Sequence, residues 1–214
     1  MEPIDPKHLD KINKAFARLS ENGPYECRPT NISLGSRDMM KPVFIECFTR
    51  YDKTITKQHP LLWLSEYEKV LDWMADNQGK GLFMFGDCGR GKSKIIMGVL
   101  IPVFIAAGKY LPGFHASLLP SKSPIHDNWN YELYRKWKFS YIDELGTESM
   151  VNNYGEKFES FNEIINVAEQ DLNILIISSN LSSVQFIQRY GDRTIDRLNR
   201  LCKIIEFKGN SLRP

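Results

Sequence analysis

The sequence is poor in the residues that build disulfide frameworks and zinc sites. Its four cysteines, Cys27, Cys47, Cys88 and Cys202, lie far apart. None forms a Cys-x-x-Cys pair, and the four histidines, His8, His59, His115 and His126, do not group with them. Neither a stapled scaffold nor a zinc site organises this chain, and a reduced, cytoplasmic compartment is the expectation. Charge of one sign is missing too. The 28 basic and 26 acidic residues leave a net charge of +2 over 214 residues, so no broad footprint for duplex DNA is visible. Long hydrophobic runs are absent. The longest, IIMGVLIPVFIAAG from Ile95 to Gly108, contains Pro102 and is too short for a bilayer, so no membrane partner is expected. The opening MEPIDPKHLD is acidic and broken by prolines, which excludes a signal peptide. There is no internal repeat and no low-complexity tract.

What is present is ordinary globular material, 42% hydrophobic and 25% charged. The length suits one α/β domain with a modest extension, or two small domains. Asp5 and Pro6 open a helix that carries Leu9, Ile12, Phe16 and Leu19 on one face. A turn-rich stretch, NGPYECRPTNISLGS, follows. A helix is expected from about Pro42, then an extended connector at QHPLLWL. Ser65 and Glu68 have capping-box spacing ahead of a helix bearing Tyr67, Val70, Leu71 and Met74, which Asn77 and Gly79 end.

From Gly81 the pattern alternates between strand and helix. LFMF is a buried strand. A long helix runs from Lys92 to Ala107, bent or interrupted at Pro102. FHASLL is the next strand, and KSPIHDNWNYELYRKW holds a loop and a short helix. FSYID is a strand ending in acids. KFESFNEIINVAEQ is an amphipathic helix with Phe158, Phe161, Ile164, Ile165 and Ala168 on one face. NILIISS is a fully buried strand, SSVQFIQRYG and TIDRLNRL are helices, and KIIEF is the last strand. Such alternation makes a parallel sheet covered by helices on both faces.

The stretch GDCGRGKS, Gly86 to Ser93, matches G-x-x-x-x-G-K-[ST] in full, after a strand and opening a helix. Glycines let the backbone wrap an anion and point successive N–H groups inward. The helix N-terminus adds positive potential. Lys92 supplies a charge to the β and γ phosphates, and the Ser93 hydroxyl is a ligand for Mg²⁺. The candidate nucleotide-binding set is therefore Gly86, Asp87, Cys88, Gly89, Arg90, Gly91, Lys92, Ser93 and Lys94. Within it Cys88 reads as a small residue tolerated in a tight turn, and Arg90 as either a phosphate contact or a solvated arginine.

FSYIDEL places Asp143 and Glu144 at the end of a strand. Downstream of a phosphate loop, such an aspartate holds the Mg²⁺ shell with Ser93. A glutamate directly after it polarises the attacking water, so the pair favours hydrolysis over nucleotide storage. Asn180 follows the strand ILIISS and faces the ligand crevice, where it either orients the lytic water or caps the next helix. Arg193 and Arg197 are four apart on one helix face. They form either a salt-bridged surface with Asp192 and Asp196 or an arginine finger for a neighbouring subunit's γ-phosphate. Tyr131, Tyr134, Arg135, Lys136 and Trp137 put rings and positive charge together, as single-stranded DNA binding requires and as a packed core also would.

The order GDCGRGKS, YIDELGTE, ISSNLS, YGDRTIDRL and FKGNSLR resembles the DnaC/DnaI/IstB branch of AAA+ ATPases, from about Leu61 to Arg213. The resemblance implies a three-layer P-loop fold of the ASCE type. Its five-stranded parallel sheet has order 5-1-4-3-2, with no C-terminal lid domain and a small helical N-terminal region. It implies an N-terminal partner-binding region and linker over 1–60 and an ATPase domain over 61–214. It makes Lys92 and Ser93 Walker A residues, Asp143 and Glu144 Walker B, Asn180 sensor 1, and Arg197 the finger acting in trans, with Arg193 nearby. The late arginine of the family falls on Arg213. The cofactors implied are ATP and Mg²⁺. The partners implied are a replicative helicase held by the N-terminal region, single-stranded DNA, and further copies of the chain. Two alternatives stand beside helicase loading: an IstB-like helper of transposition, and a nucleotide-gated interaction module with little turnover.

Overall fold

The computed structural model describes residues 31–119, 136–148, 151–153, 156–158 and 160–213. The helix expected over Leu9 to Leu19 and most of the segment around Tyr131 and Tyr134 lie outside the described residues. Seven strands are described: β1 (Gly81–Gly86), β2 (Gly113–His115), β3 (Phe139–Leu145), β4 (Val151–Asn153), β5 (Glu156–Phe158), β6 (Ile174–Ser179) and β7 (Cys202–Phe207). Five of them form one sheet in the order β2-β3-β6-β1-β7, and every pairing is parallel. Numbered among themselves, they read 2-3-4-1-5, the expected order seen from the other edge. β4 and β5 pair antiparallel as a separate hairpin.

The strands are apolar on both faces because helices cover both. Side-chain alternation sends Leu82, Met84, Ile174, Ile176, Ile205 and Phe207 into one core, and Phe83, Leu175, Ile177 and Cys202 into the other. The first core is closed by α1 (Arg37–Tyr51), α2 (Ser65–Ala75) and α3. Helix α3 runs through Lys92–Lys94, a π-helical stretch Ile95–Leu100, and Ile101–Ala106. The second core is closed by α4 (Ser160–Asp171), α5 (Ser183–Tyr190) and α6 (Asp192–Leu201).

Several local expectations change. α1 begins at Arg37, not near Pro42, and carries Pro42 inside it. Burial of Met40, Phe44 and Phe48, spaced by four, outweighs the one hydrogen bond that the proline removes. The capping box at Ser65 does not form. The Ser65 hydroxyl donates to Glu66 at 3.0 Å, while Glu68 is drawn to Lys41 at 2.6 Å and to Arg37 and Trp63. The irregularity at Pro102 is a π-helical stretch just before it, where the Ile101 N–H reaches Ile96 O. The wider turn spares the proline ring a clash with the Gly98 carbonyl. In FHASLL only Phe114 and His115 belong to a strand; Ala116–Leu118 turns into a 3-10 helix. Phe158 belongs to β5, and α4 starts at Ser160 with Phe161, Ile164, Ile165 and Ala168 buried as expected.

α1 is packed on the first core through Met40, Phe44 and Phe48. Phe44, Phe48, Trp63 and Tyr67 form one aromatic cluster, with Phe44 and Trp63 edge to face at 5.3 Å. The chain between α1 and α2 thereby comes to lie beside the phosphate loop.

Candidate functional site

All five sheet strands point the same way, so the C-terminal ends of β1, β2, β3 and β6 share one edge. Open α/β sheets bind ligands there. A cleft of about 540 Å³ lies along it, lined by the phosphate loop from Gly89 to Lys94, Glu144, Asn180, Leu212 and Arg213. The chain from Asp52 to Leu62 forms its other wall.

The loop after β1 has a wrapped backbone. Gly89 has φ 75° and Gly91 φ 89°. A Cβ on Gly91 would stand 2.8 Å from the Tyr67 hydroxyl and 3.0 Å from Phe48, so the turn also needs the absent side chain. The loop is tied from outside. Arg90 meets Glu66 at 2.9 Å with both side chains buried, and the Tyr67 hydroxyl donates to Arg90 O at 3.2 Å. The last residues hold it as well: Gly209 N–H donates to Asp87 Oδ2 at 2.7 Å, and Leu212 N–H to Gly89 O at 3.0 Å. Burial works against the Glu66 carboxylate, yet the Arg90 hydrogen bond leads the contacts that hold its pKa below 4.5. Burial pushes the Tyr67 hydroxyl up to about 12.

Lys92 is 4% exposed and donates to Gly86 O at 2.9 Å and Asp87 O at 2.7 Å. Burial pulls its pKa below the ordinary lysine value, against the attraction of the Asp87, Glu144 and Asp143 carboxylates. Arg90 is not a solvated arginine; its side chain is buried and anchors the loop to α2 through Glu66. The Lys94 ammonium pairs with Asp52 at the C-terminus of α1. Cys88 is exposed on the loop.

Next to Glu144 but not among the residues that line the cleft, Asp143 is buried and accepts a hydrogen bond from the Ser178 hydroxyl. Glu144 has φ 56°, a left-handed conformation uncommon for a residue with a side chain. Its carboxylate lies 3.0 Å from His115 Nε2. His115 Nδ1 accepts the Ser117 N–H at 3.2 Å, so in the neutral ring Nε2 carries the proton and donates to Glu144. Asn180 lines the cleft, and Ser182, not Asn180, caps α5 with Gln185 in a full capping box. That leaves the Asn180 amide for the cleft.

The arginines of α6 do not line the cleft of their own chain. Arg193 is exposed. Arg197 is paired with Glu169 on α4 at 2.7 Å, a partner the sequence did not indicate. Arg213 does line the cleft, beside the phosphate loop.

His115, Ser178, Glu66 and the wall from Asp52 to Leu62 were not singled out from sequence. His115 had one usable signal, since β2 stops there and Asp143 is its cross-strand partner in β3. Ser178 becomes a neighbour through the pairing of β3 with β6, and Glu66 and the wall through the packing of α1 and α2 on the first core.

Among the described residues no three His, Cys, Asp or Glu side chains gather as a metal site. Ser93 and Asp143 offer hard oxygen donors of the kind that hold Mg²⁺ when phosphates complete its shell, so the residues present fit a nucleotide-borne magnesium.

The class these features define is an α/β fold of the P-loop type, with a five-stranded parallel sheet and the G-x-x-x-x-G-K-S loop after β1. Solved structures agree with it. The DnaC helicase loader superposes with a TM-score of 0.56 at 17% identity, over 74% of this chain and 99% of that one. A Streptococcus pyogenes serotype M3 protein, provisionally assigned as a primosome component, gives 0.52 at 16% identity over 81% and 99%. AMPPCP-bound DnaA from Aquifex aeolicus gives 0.51 at 13% identity over 75% of this chain and about half, 52%, of its own. At these identities the likeness is one of fold. No protein-family model matches the chain, and no curated protein matches it in sequence. Among the described residues no helix is long and apolar enough to cross a membrane.

Proposed function

We propose that this chain is a magnesium-dependent ATPase of DNA replication that loads a replicative helicase onto single-stranded DNA. The observation that carries the reading is one cleft that gathers Lys92 and Ser93 after β1, Glu144 at the end of β3 and Asn180 after β6. The loop N–H groups and the start of α3 bind the phosphates. Lys92 exchanges the carbonyls of Gly86 and Asp87 for the β and γ oxygens. Ser93 and Asp143 hold the cation. The magnesium ion supplies charge neutralisation on the phosphates. Glu144 accepts the proton of the attacking water, and Asn180 orients that water. The apolar side chains Phe48, Ile55, Leu61 and Leu62 in the wall suit a nucleobase.

Helicase loading is supported by the fold shared with the DnaC helicase loader. The N-terminal region, 1–60, is assigned to the helicase, and the stretch from Tyr131 to Trp137 to single-stranded DNA. Arg197, with Arg193 beside it, is assigned to the nucleotide of a neighbouring copy. A second reading, a nucleotide-gated module with little turnover, is favoured by one observation: Glu144 is engaged with His115 and Arg197 with Glu169.

The test measures Mg²⁺-dependent ATP turnover of the full chain, alone and with single- or double-stranded oligonucleotides, alongside mass-spectrometric identification of proteins retained by it. Turnover stimulated by single strands and recovery of a replicative helicase are expected. Recovery of a transposase would favour the IstB-like alternative. Tight ATP binding with no turnover under any condition would favour the gated module.

A further inference from the structure

We infer that Ser178 is a positioning residue for hydrolysis, an assignment that rests on the ATPase reading above. β3 and β6 stay in register as far as Ile142 opposite Ile177, and resume with Leu145 opposite Ser179. β3 therefore carries one extra residue across this step, a bulge at Asp143 and Glu144. Bulges re-aim a side chain at the expense of the local ladder, and here the side chain re-aimed is Glu144, with its φ of 56°. The Glu144 N–H, displaced from the ladder, donates to the Ser178 hydroxyl oxygen at 2.9 Å. The same hydroxyl donates its own hydrogen to Asp143 Oδ1. One hydroxyl has one hydrogen and two lone pairs, so both bonds form together.

Ser178 is 1% exposed, so water has no room to take over either bond. The side chain supports the main chain that turns Glu144 into the cleft. It also fixes one oxygen of Asp143, leaving the other for a cation or its water. A small buried residue that only filled space would make neither bond. Its neighbour Ser179 differs: that hydroxyl donates to Leu145 O at 2.6 Å and touches neither acid.

The test compares Ser178→Ala, Ser178→Val and Ser178→Thr with Asp143→Asn in the full chain. Threonine and valine have one shape, but only threonine keeps the hydroxyl. Four quantities are read: kcat and KM for ATP, the affinity for AMPPCP, and the Mn²⁺ affinity of the AMPPCP-loaded protein by electron paramagnetic resonance. Removing a partner of a metal-ligating carboxylate lowers metal affinity or activity about 10- to 100-fold. Ser178→Val and Ser178→Ala should lose kcat and Mn²⁺ affinity on that scale, with AMPPCP affinity in EDTA held within about threefold and Ser178→Thr recovering most of the loss. A folded Ser178→Val with wild-type kcat and Mn²⁺ affinity overturns the inference. So does a threonine variant that folds and recovers nothing. Where alanine and valine prevent folding, Ser178→Cys, which keeps the volume with a weak donor, takes their place under the same criteria. Mn²⁺ binding that ignores Asp143→Asn would overturn the metal assignment itself, whatever Ser178 does.

Discussion

At the phosphate end of the cleft, Arg90 is clamped to Glu66, Tyr67 holds the Arg90 carbonyl, and the chain from Gly209 to Leu212 holds Asp87 and Gly89. The groups assigned to chemistry are themselves occupied: Glu144 at the acidic end by His115, and Arg197, which lies outside the cleft of its own chain, by Glu169. Both ends are hydrogen-bonded, but the bonds do different things. The first set leaves the loop N–H groups in place for an anion, and only Lys92 has to exchange partners. If Glu144 and Arg197 have the roles proposed above, the second set must be undone before either acts. On the proposed ATPase reading, nucleotide binding is preorganised in a single chain, whereas turnover would require a rearrangement driven by DNA, a partner or a second copy.

The sharpest way to break this contrast is at its preorganised end. Lys92→Ala should lower ATP affinity by about a hundredfold or more, because the one buried cation facing the β and γ oxygens is gone. Titration with a fluorescent ATP analogue reads it, and thermal melting checks that the fold survives. Unchanged affinity would remove the loop from the site. Glu144→Gln acts at the other end. It keeps the side chain's size and its contact with His115, and removes the base. Turnover should fall on the order of a hundredfold or more with ATP affinity retained. Wild-type turnover in that variant would mean that the withheld group is not the one that matters.

The clamp gives a third, smaller effect. Glu66 and Arg90 have side chains 9% and 10% exposed, so losing one charge leaves the other buried. Glu66→Gln should cost about 1–3 kcal/mol in a urea melt at pH 7. The folded-state pKa of Glu66 lies below its ordinary 4.5. Its stabilisation is therefore present above pH 4.5 and is lost as the pH falls through the depressed value. The gap between wild type and Glu66→Gln should narrow below pH 4.5. A gap that stays constant with pH would show that the carboxylate charge is not what holds Arg90.

How legible these two ends were in the sequence differs for a physical reason. The phosphate loop is contiguous, so Gly86 to Ser93 announced the backbone wrap, the lysine and the hydroxyl from their spacing alone. The full burial of ILIISS was legible for the same reason, from local pattern, whereas the strand order came from the family resemblance and not from any spacing. The acidic end is assembled across strands. His115 reaches Glu144 from β2, and Ser178 reaches Asp143 from β6, contacts set by register and by a one-residue bulge that no spacing reveals. The anchoring of Arg90 was not legible because its partner, Glu66, lies 24 positions away on another helix. Ser65 and Glu68 matched a capping rule locally, but Lys41 and Arg37 on α1 offered Glu68 a better partner. Phe158 fitted a helical face by spacing and belongs to a hairpin strand instead.

The smallest effect bears on whether the occupied end is truly a restraint. Arg197 and Glu169 are 23% and 34% exposed, so their pair contributes about 1 kcal/mol or less to the fold. Glu169→Gln should therefore shift the melting temperature by no more than a few degrees. If Arg197 serves the nucleotide of a neighbouring copy, it must leave Glu169 on assembly, and the amide makes that departure easier. The protein concentration giving half-maximal turnover per subunit should then fall about two- to fivefold, the factor that a kcal/mol or less allows. Arg197→Ala should abolish the concentration-dependent part of the rate while leaving ATP affinity intact. Arg200 is the control, since it also contacts Glu169, at 3.3 Å, but is more exposed. Arg200→Ala should move neither quantity. A Glu169→Gln protein with an unchanged midpoint, beside an Arg197→Ala protein of full stimulated activity, would reduce the pair to a strut between α4 and α6. The contrast would then rest on His115 and Glu144 alone.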